Sequence, residues 1–128
     1  MKNSRARLLV ASWDETLLRS RTMMLGAYFS VQPAGRFSEA IQLVRNNSYD
    51  LLVLCHTLED YQQETFASIA RELFPPVEVL ALETHPATEK PYADHVYEVT
   101  RGPWQLVTKC AQIVGYKIRS KIRHAAAD

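Results

Sequence analysis

Residues 50–55, Asp50-Leu51-Leu52-Val53-Leu54-Cys55, are the clearest strand signal in the chain. Four consecutive apolar residues between polar neighbours are typical of a strand that helices cover on both faces. Similar but weaker runs occur at four other places, namely 8–11, 28–31, 77–82 and 95–99. The sequence therefore predicts five short strands.

Amphipathic stretches lie between these strands. Asp14 is predicted to cap a first helix that Gly26 ends, Ser38 to cap a second helix, and Pro103 to open the last one. The region 83–94 contains two prolines and little apolar periodicity, so a helix there is predicted to be short, irregular or missing.

Strands that alternate with helices favour a parallel sheet with helices on both faces. We predict an α/β, flavodoxin-like three-layer sandwich with a five-stranded sheet in the order 2-1-3-4-5. The 128 residues are expected to form one domain, 1–128.

Bulk composition excludes several functional classes. The formal net charge is +1 and no apolar run reaches membrane-spanning length, so we expect neither a nucleic-acid nor a membrane partner. No signal peptide is visible, and the two cysteines lie in apolar runs, which suits reduced thiols. A cytoplasmic protein is expected.

Three segments resemble the receiver domains of bacterial two-component response regulators, the CheY-like domains. They are Arg-Leu-Leu-Val at 7–10, Tyr-Asp-Leu-Leu-Val-Leu at 49–54 and Pro-Pro-Val-Glu-Val-Leu at 75–80. The likeness covers nearly the whole chain and implies a role in phosphorelay signal transduction. In that family an acidic pair holds Mg²⁺, and the phosphoacceptor aspartate directly follows the third strand. A hydroxyl and a lysine then meet the phosphoryl group.

The positions that carry this chemistry differ here. The acidic pair falls on Ala11 and Ser12, the phosphoacceptor on Cys55, and the hydroxyl near Ala81. A thiol does not replace a carboxylate as a Mg²⁺ ligand.

The family's lysine falls on Val99 if Pro103 is matched to the helix start. It falls on Arg101 if Thr100-Arg101 is matched to the family's Thr-Lys. Arg101 keeps a positive charge but not the geometry of lysine. We therefore expect a degenerate pseudo-receiver, not phosphorylated on aspartate, that acts by protein–protein interaction without cofactor or enzymatic activity.

Two alternatives use other residues. Displaced acids at Asp14, Glu15 or Asp60 are one route to ordinary phosphorylation. Capping of the first helix is the simpler role for the first two. The second alternative is a metal- or thiol-based sensor at Cys55, His56 and His85, near the carboxyl edge of the sheet.

The metal alternative has two arguments against it. Cys55 and His56 are adjacent and are expected to point to opposite faces of the strand, and a buried cysteine is commonly core filler. A nucleotide- or flavin-binding enzyme is not expected, since the turn 11–14 is Ala-Ser-Trp-Asp and the chain has only four glycines.

Aromatic residues are frequent around the fifth strand and the last helix. In receivers this region is the usual partner or dimer surface, so Tyr92, Tyr97 and Trp104 are predicted to form an interaction face. The expected partner is a protein of unknown identity, and a homodimer is one form of such docking.

Overall fold

The structure, a computed structural model, describes residues 5–85 and 90–127, and for residues 116–127 it describes the backbone alone. Strands and helices alternate along these residues, except that the fourth and fifth strands follow each other with no described helix between them, and a short 3-10 turn (Val99–Arg101) precedes the last helix. The elements are β1 (Arg7–Ala11), α1 (Glu15–Gly26), β2 (Ser30–Ala34), α2 (Phe37–Asn46), β3 (Leu51–Leu54), α3 (Asp60–Glu72), β4 (Glu78–Glu83), β5 (His95–Glu98) and α4 (Pro103–Ala127).

The strands form one parallel sheet in the order β2-β1-β3-β4-β5. This order and the flavodoxin-like α/β class confirm the fold predicted from the sequence. Parallel strands need crossover connections, and the helices that supply them cover both faces of the sheet.

Two apolar cores lie on the two faces of the sheet because side chains alternate along a strand. Leu9 and Leu52 belong to the core that includes Phe66 of α3, whereas Val10 and Val53 belong to the opposite core, with α1 and α4. Every residue of β3 is buried, which explains why residues 50–55 carry the strongest strand signal. Burial of each such side chain favours folding by about 2 kcal/mol.

The connection from β4 to β5 has no helix in its described parts, residues 84–85 and 90–94. Asp94 attaches this connection to the sheet. The Val79 N–H donates to Asp94 Oδ2 at 2.8 Å, and the Asp94 N–H donates to Val79 O at 3.0 Å. The backbone and the side chain of Asp94 therefore both bind β4 and position the chain at the start of β5.

Two local predictions are wrong. Ser38 does not cap α2, which begins at Phe37 after Arg36 and has no side-chain cap. The second strand lies at Ser30–Ala34 rather than 28–31, and it includes Pro33. Because β2 is an edge strand, the missing N–H of a proline is tolerated there.

The last helix begins at Pro103, as predicted. Gly102 has φ of 99°, a backbone conformation that favours glycine, and its carbonyl accepts a hydrogen bond from the Tyr97 hydroxyl at 2.6 Å. This turn fixes the start of α4 against the end of β5. Across the described residues, we find no helix with the length and apolar character needed to span a membrane.

Candidate functional site

The carboxyl ends of β1 and β3 lie side by side at the sheet edge where ligands bind in this class of fold. Ala11 and Leu54 are register partners, so Ser12 and Cys55 leave the sheet next to each other. The Cys55 N–H donates to Ala11 O at 3.0 Å, and Ser12 and Cys55 are both fully buried. Ala11 still belongs to β1, so the turn after the first strand starts at Ser12.

The thiol of Cys55 contacts two nitrogen-bearing side chains. Arg21 of α1 donates from Nη1 to Cys55 Sγ at 2.6 Å, and His56 Nδ1 lies 3.6 Å from the same sulfur. The expectation that Cys55 and His56 point apart is wrong, because β3 ends at Leu54 and the chain turns there. The position that aligns with the phosphoacceptor of receivers therefore holds a sulfur beside a guanidinium, which stays charged.

Two hydroxyl groups meet at this edge of the sheet, that of Ser12 in the turn after β1 and that of Thr57 in the connection after β3. Thr57 Oγ1 accepts from the Trp13 N–H at 2.9 Å and lies 3.2 Å from Ser12 Oγ. Ser12 Oγ also accepts from the Asp14 N–H at 3.2 Å. These contacts satisfy the buried polar groups of the turn with uncharged partners.

Trp13 joins this turn to α3. Its Nε1 donates to Gln62 Oε1 at 2.8 Å, and its ring meets the Phe37 ring edge-on, with centroids 6.4 Å apart. Gln62 Oε1 also accepts from the Glu59 N–H at 2.9 Å at the start of α3. The indole therefore spans from the first turn of the chain to the helix that follows Cys55.

The displaced acids are engaged elsewhere. Asp14 caps α1 as predicted, because its carboxylate accepts a backbone N–H of the first turn at 2.9 Å. Glu15 is exposed and lies 3.9 Å from Arg19, whereas Asp60 accepts from Lys90 Nζ at 2.7 Å. Each carboxylate thus has a partner other than Cys55.

Lys90 forms the most enclosed ion cluster of the described residues. Its Nζ lies 3.1 Å from Glu83, and the two side chains are only 8% and 10% exposed. Burial by itself would lower the pKa of Lys90, but the hydrogen bond with Asp60 and the adjacent Glu83 carboxylate raise this pKa above its ordinary value. The bond from Lys90 lowers the pKa of Asp60. The cluster ties the β4–β5 connection to α3, and Tyr92 strengthens the tie by donating to Gln63 at 3.1 Å.

The remaining pocket positions are placed as follows. Ala81 is buried in β4 beside Leu54 of β3, and Val99 and Arg101 bound the 3-10 turn. The Arg101 side chain is 66% exposed, and its Nε lies 3.9 Å from Glu98. Its charge therefore faces solvent and Glu98.

The three residues predicted as candidate metal ligands do not come together in one site. Cys55 and His56 are in contact, but His85 lines a separate groove with Glu98 and Arg101. Within residues 5–85 and 90–127, we find no group of three or more His, Cys, Asp or Glu side chains arranged to hold a metal ion.

The three residues of the predicted aromatic face differ in burial: one is exposed, one is half-buried and one is buried. Trp104 is 64% exposed and packs edge-on against Tyr28, with ring centroids 5.9 Å apart. Tyr92 is half-buried, and Tyr97 is buried with its hydroxyl bonded to the turn before α4. Placing Tyr97 on a contact surface was wrong, because its ring belongs to the core beneath α4.

Sequence reasoning missed Arg21, Thr57 and the Lys90–Glu83 pair. Arg21 had a detectable signal, because it follows Leu17 by four residues and so lies in the apolar stripe of α1. Glu83 had a weaker one, as the last residue of a continuous apolar strand run. A charge within an apolar stripe or strand predicts a buried partner.

Comparison with known proteins gives matches in structure and none in sequence. The chain matches no protein-family model and no curated protein sequence. A CheY-like response regulator receiver domain protein from Methanospirillum hungatei JF-1 superposes with a TM-score of 0.75 at 16% identity, covering 91% of this chain and 99% of that one.

Two further receivers are similar. The signal receiver domain of an HD domain-containing protein from Pseudomonas fluorescens Pf-5 gives a TM-score of 0.73 at 15% identity, covering 96% of each chain. The BeF3-activated DrrB receiver domain gives 0.73 at 17% identity, covering 87% of this chain and 98% of that one. The chain therefore has the fold of the response regulator receiver domains.

Proposed function

We propose that this chain is a receiver-like signalling module that acts by protein–protein contact, without aspartyl phosphorylation and without catalytic activity of its own. The observation that carries the proposal is the contact between Arg21 and Cys55 at the phosphoacceptor position. This contact shows two differences from a phosphorylatable pocket. The nucleophile is a sulfur in place of a carboxylate, and a guanidinium cation already lies beside it.

Aspartyl phosphorylation requires a carboxylate nucleophile and a bound Mg²⁺. Cys55 offers a sulfur, which is a poor ligand for Mg²⁺, and Ser12 offers a hydroxyl that is bonded within the protein. A divalent ion next to the Arg21 guanidinium would also meet like-charge repulsion, which is strong in a buried site. All three features disfavour Mg²⁺ binding and phosphorylation at this pocket.

The docking surface we propose is centred on Trp104 and Tyr28. Both rings are more than half exposed, and their edge-on packing keeps them in a fixed orientation. Tryptophan and tyrosine are frequent anchors of protein interfaces because they bury a large area at low entropic cost. The partner is a protein in the cytoplasm, and a second copy of the chain is the simplest candidate.

Phosphorylation and docking are tested separately. Incubation with Mg²⁺ and acetyl phosphate, followed by intact mass spectrometry, is expected to leave the protein unmodified. A phosphorylated species mapped to Asp14, Glu15 or Asp60 would contradict the proposal. The DrrB receiver, solved in a BeF3-activated form, is a suitable positive control.

Docking is tested by analytical ultracentrifugation of Trp104→Ala. We expect this variant to weaken self-association at least about tenfold, since hot-spot anchors typically cost about 2 kcal/mol or more on truncation and about 1.4 kcal/mol is already a factor of about ten. Phe74→Ala is the matched control, because Phe74 is a fully exposed aromatic residue that follows α3, whereas Trp104 lies in α4. If Trp104→Ala self-associates as strongly as the wild-type protein, this face is excluded as the dimer surface.

A thiol-based sensor is the second candidate function, favoured by the Arg21 guanidinium and the His56 imidazole beside the Cys55 sulfur. Reactive thiols are commonly found next to cationic groups. The sulfur is fully buried, so an oxidant could reach it only after α1 moves. Peroxide treatment followed by mass spectrometry of Cys55 tests this function directly.

A further inference from the structure

A cleft of about 190 Å³ lies between α1 and the turn that joins β5 to α4. Its lining is mainly apolar and comes from elements that are far apart in sequence, namely Leu17, Met24, Tyr97, Val99, Pro103 and Leu106. A cavity of about 150 Å³ is large enough for a benzene ring. The cleft can therefore hold one small ring or a short branched chain together with a polar group.

One charged side chain, Arg21, forms part of the cleft wall. Arg21 is half-buried and donates one N–H to Cys55, and no carboxylate pairs with it in the described part of the chain. A guanidinium carries five N–H donors and remains protonated, so donors and charge are left over. A partly buried charge without a counter-ion favours an anion in the adjacent space.

The other polar groups of the cleft refine this preference. The Gly102 carbonyl is already an acceptor for the Tyr97 hydroxyl, so it does not compete for Arg21. Ser20 adds a hydroxyl on the same helix, one residue before Arg21. The cleft thus combines an apolar body with a single cationic end.

We propose that this cleft binds a small apolar carboxylate, with the carboxylate on the Arg21 guanidinium and the apolar part among Leu17, Val99 and Leu106. A planar carboxylate matches the two-donor geometry of a guanidinium, and charge-assisted bonds of this kind are about twice as strong as neutral ones. A phosphate is disfavoured because it has no apolar part to fill the cleft. This inference goes beyond the proposed signalling role and does not depend on it.

Benzoate is the probe, and its neutral isostere benzamide is the matched ligand control. In an NMR titration of the full chain, benzoate is expected to shift the amides of Leu17, Val99 and Leu106 together, with a dissociation constant of about 1 mM. Benzamide is expected to bind at least about tenfold more weakly, because it cannot pair with the charge.

Arg21→Gln is expected to reduce benzoate affinity at least about tenfold while leaving benzamide affinity unchanged. Arg19→Gln is the control variant, since Arg19 lies on the same helix, is 68% exposed and pairs with Glu15. If Arg21→Gln does not fold, the benzoate-to-benzamide ratio on the wild-type chain still decides the question. The proposal is overturned if benzoate gives no saturable shifts at the cleft, if the two ligands bind equally, or if Arg19→Gln weakens benzoate as much as Arg21→Gln.

Discussion

Replacing Lys90 by methionine is expected to destabilise the protein by about 3–5 kcal/mol, because it leaves the Glu83 carboxylate buried without its counter-ion. The Lys90 and Glu83 side chains are only 8% and 10% exposed, so solvent cannot replace the lost partner. The second contact of Lys90 contributes less. Asp60 is 76% exposed, and such pairs are worth about 1 kcal/mol or less.

The assay is urea denaturation followed by far-ultraviolet circular dichroism, with thermal melting in parallel. At about 4 °C per kcal/mol for a domain of this size, the melting temperature should fall by about 12 °C or more. Two variants separate the contributions. Asp60→Asn should cost about 1 kcal/mol or less, and Lys90→Met combined with Glu83→Leu should recover most of the loss, because an apolar pair can replace a buried ion pair.

A cost of less than about 1 kcal/mol for Lys90→Met would contradict this prediction, as would a double variant that is no more stable than the single one. Either result would mean that Glu83 does not depend on Lys90 as its counter-ion in the folded protein. The cluster would then not hold the β4–β5 connection against α3.

Three further predictions follow from the same contacts. A hydrogen bond from Lys90 lowers the pKa of Asp60, so the contribution of Asp60 to stability is full above about pH 4 and is lost as the pH falls through the folded pKa. The stability difference between wild type and Asp60→Asn should therefore shrink steadily as the solution is acidified below about pH 4. Burial raises the pKa of Cys110 to about 12, so this thiol should react with a disulfide reagent at pH 8 only after unfolding, and reaction in the native state would contradict its burial. Thr57→Val should cost about 1–3 kcal/mol in urea denaturation, because the Trp13 N–H loses its acceptor. Thr65→Ala should cost less, about 1 kcal/mol at most, because the hydroxyl of the half-buried Thr65 bonds only to a carbonyl of its own helix.

The fold was predictable because its strongest signals are local. The apolar run of β3, the cap at Asp14 and the start of α4 at Pro103 each follow from a few neighbouring residues. The errors lie where tertiary context decides, as at Pro33, which an edge strand accepts, and at Ser38, where α2 begins one residue earlier without a side-chain cap.

The candidate site was predictable in position but not in content. The resemblance placed Cys55 at the carboxyl edge of the sheet after the third strand, and the structure has it there, next to the end of β1. They could not show that Arg21 reaches the sulfur from α1, or that Glu83 meets Lys90, since these pairs are separated in sequence and depend on side-chain direction. Local sequence patterns are enough to predict helices and strands. A site built from several of these elements can be predicted only when their packing against one another is known.

The central claim is that the receiver-like pocket does not accept a phosphoryl group. The most direct test is an amide NMR spectrum recorded with and without Mg²⁺ and beryllofluoride, with an aspartate-containing receiver as positive control. We expect no coordinated shifts at Ser12, Cys55 and Ala81. Shifts of these amides that require both Mg²⁺ and beryllofluoride would contradict it, because they would show that a rearranged acid site carries ordinary receiver chemistry.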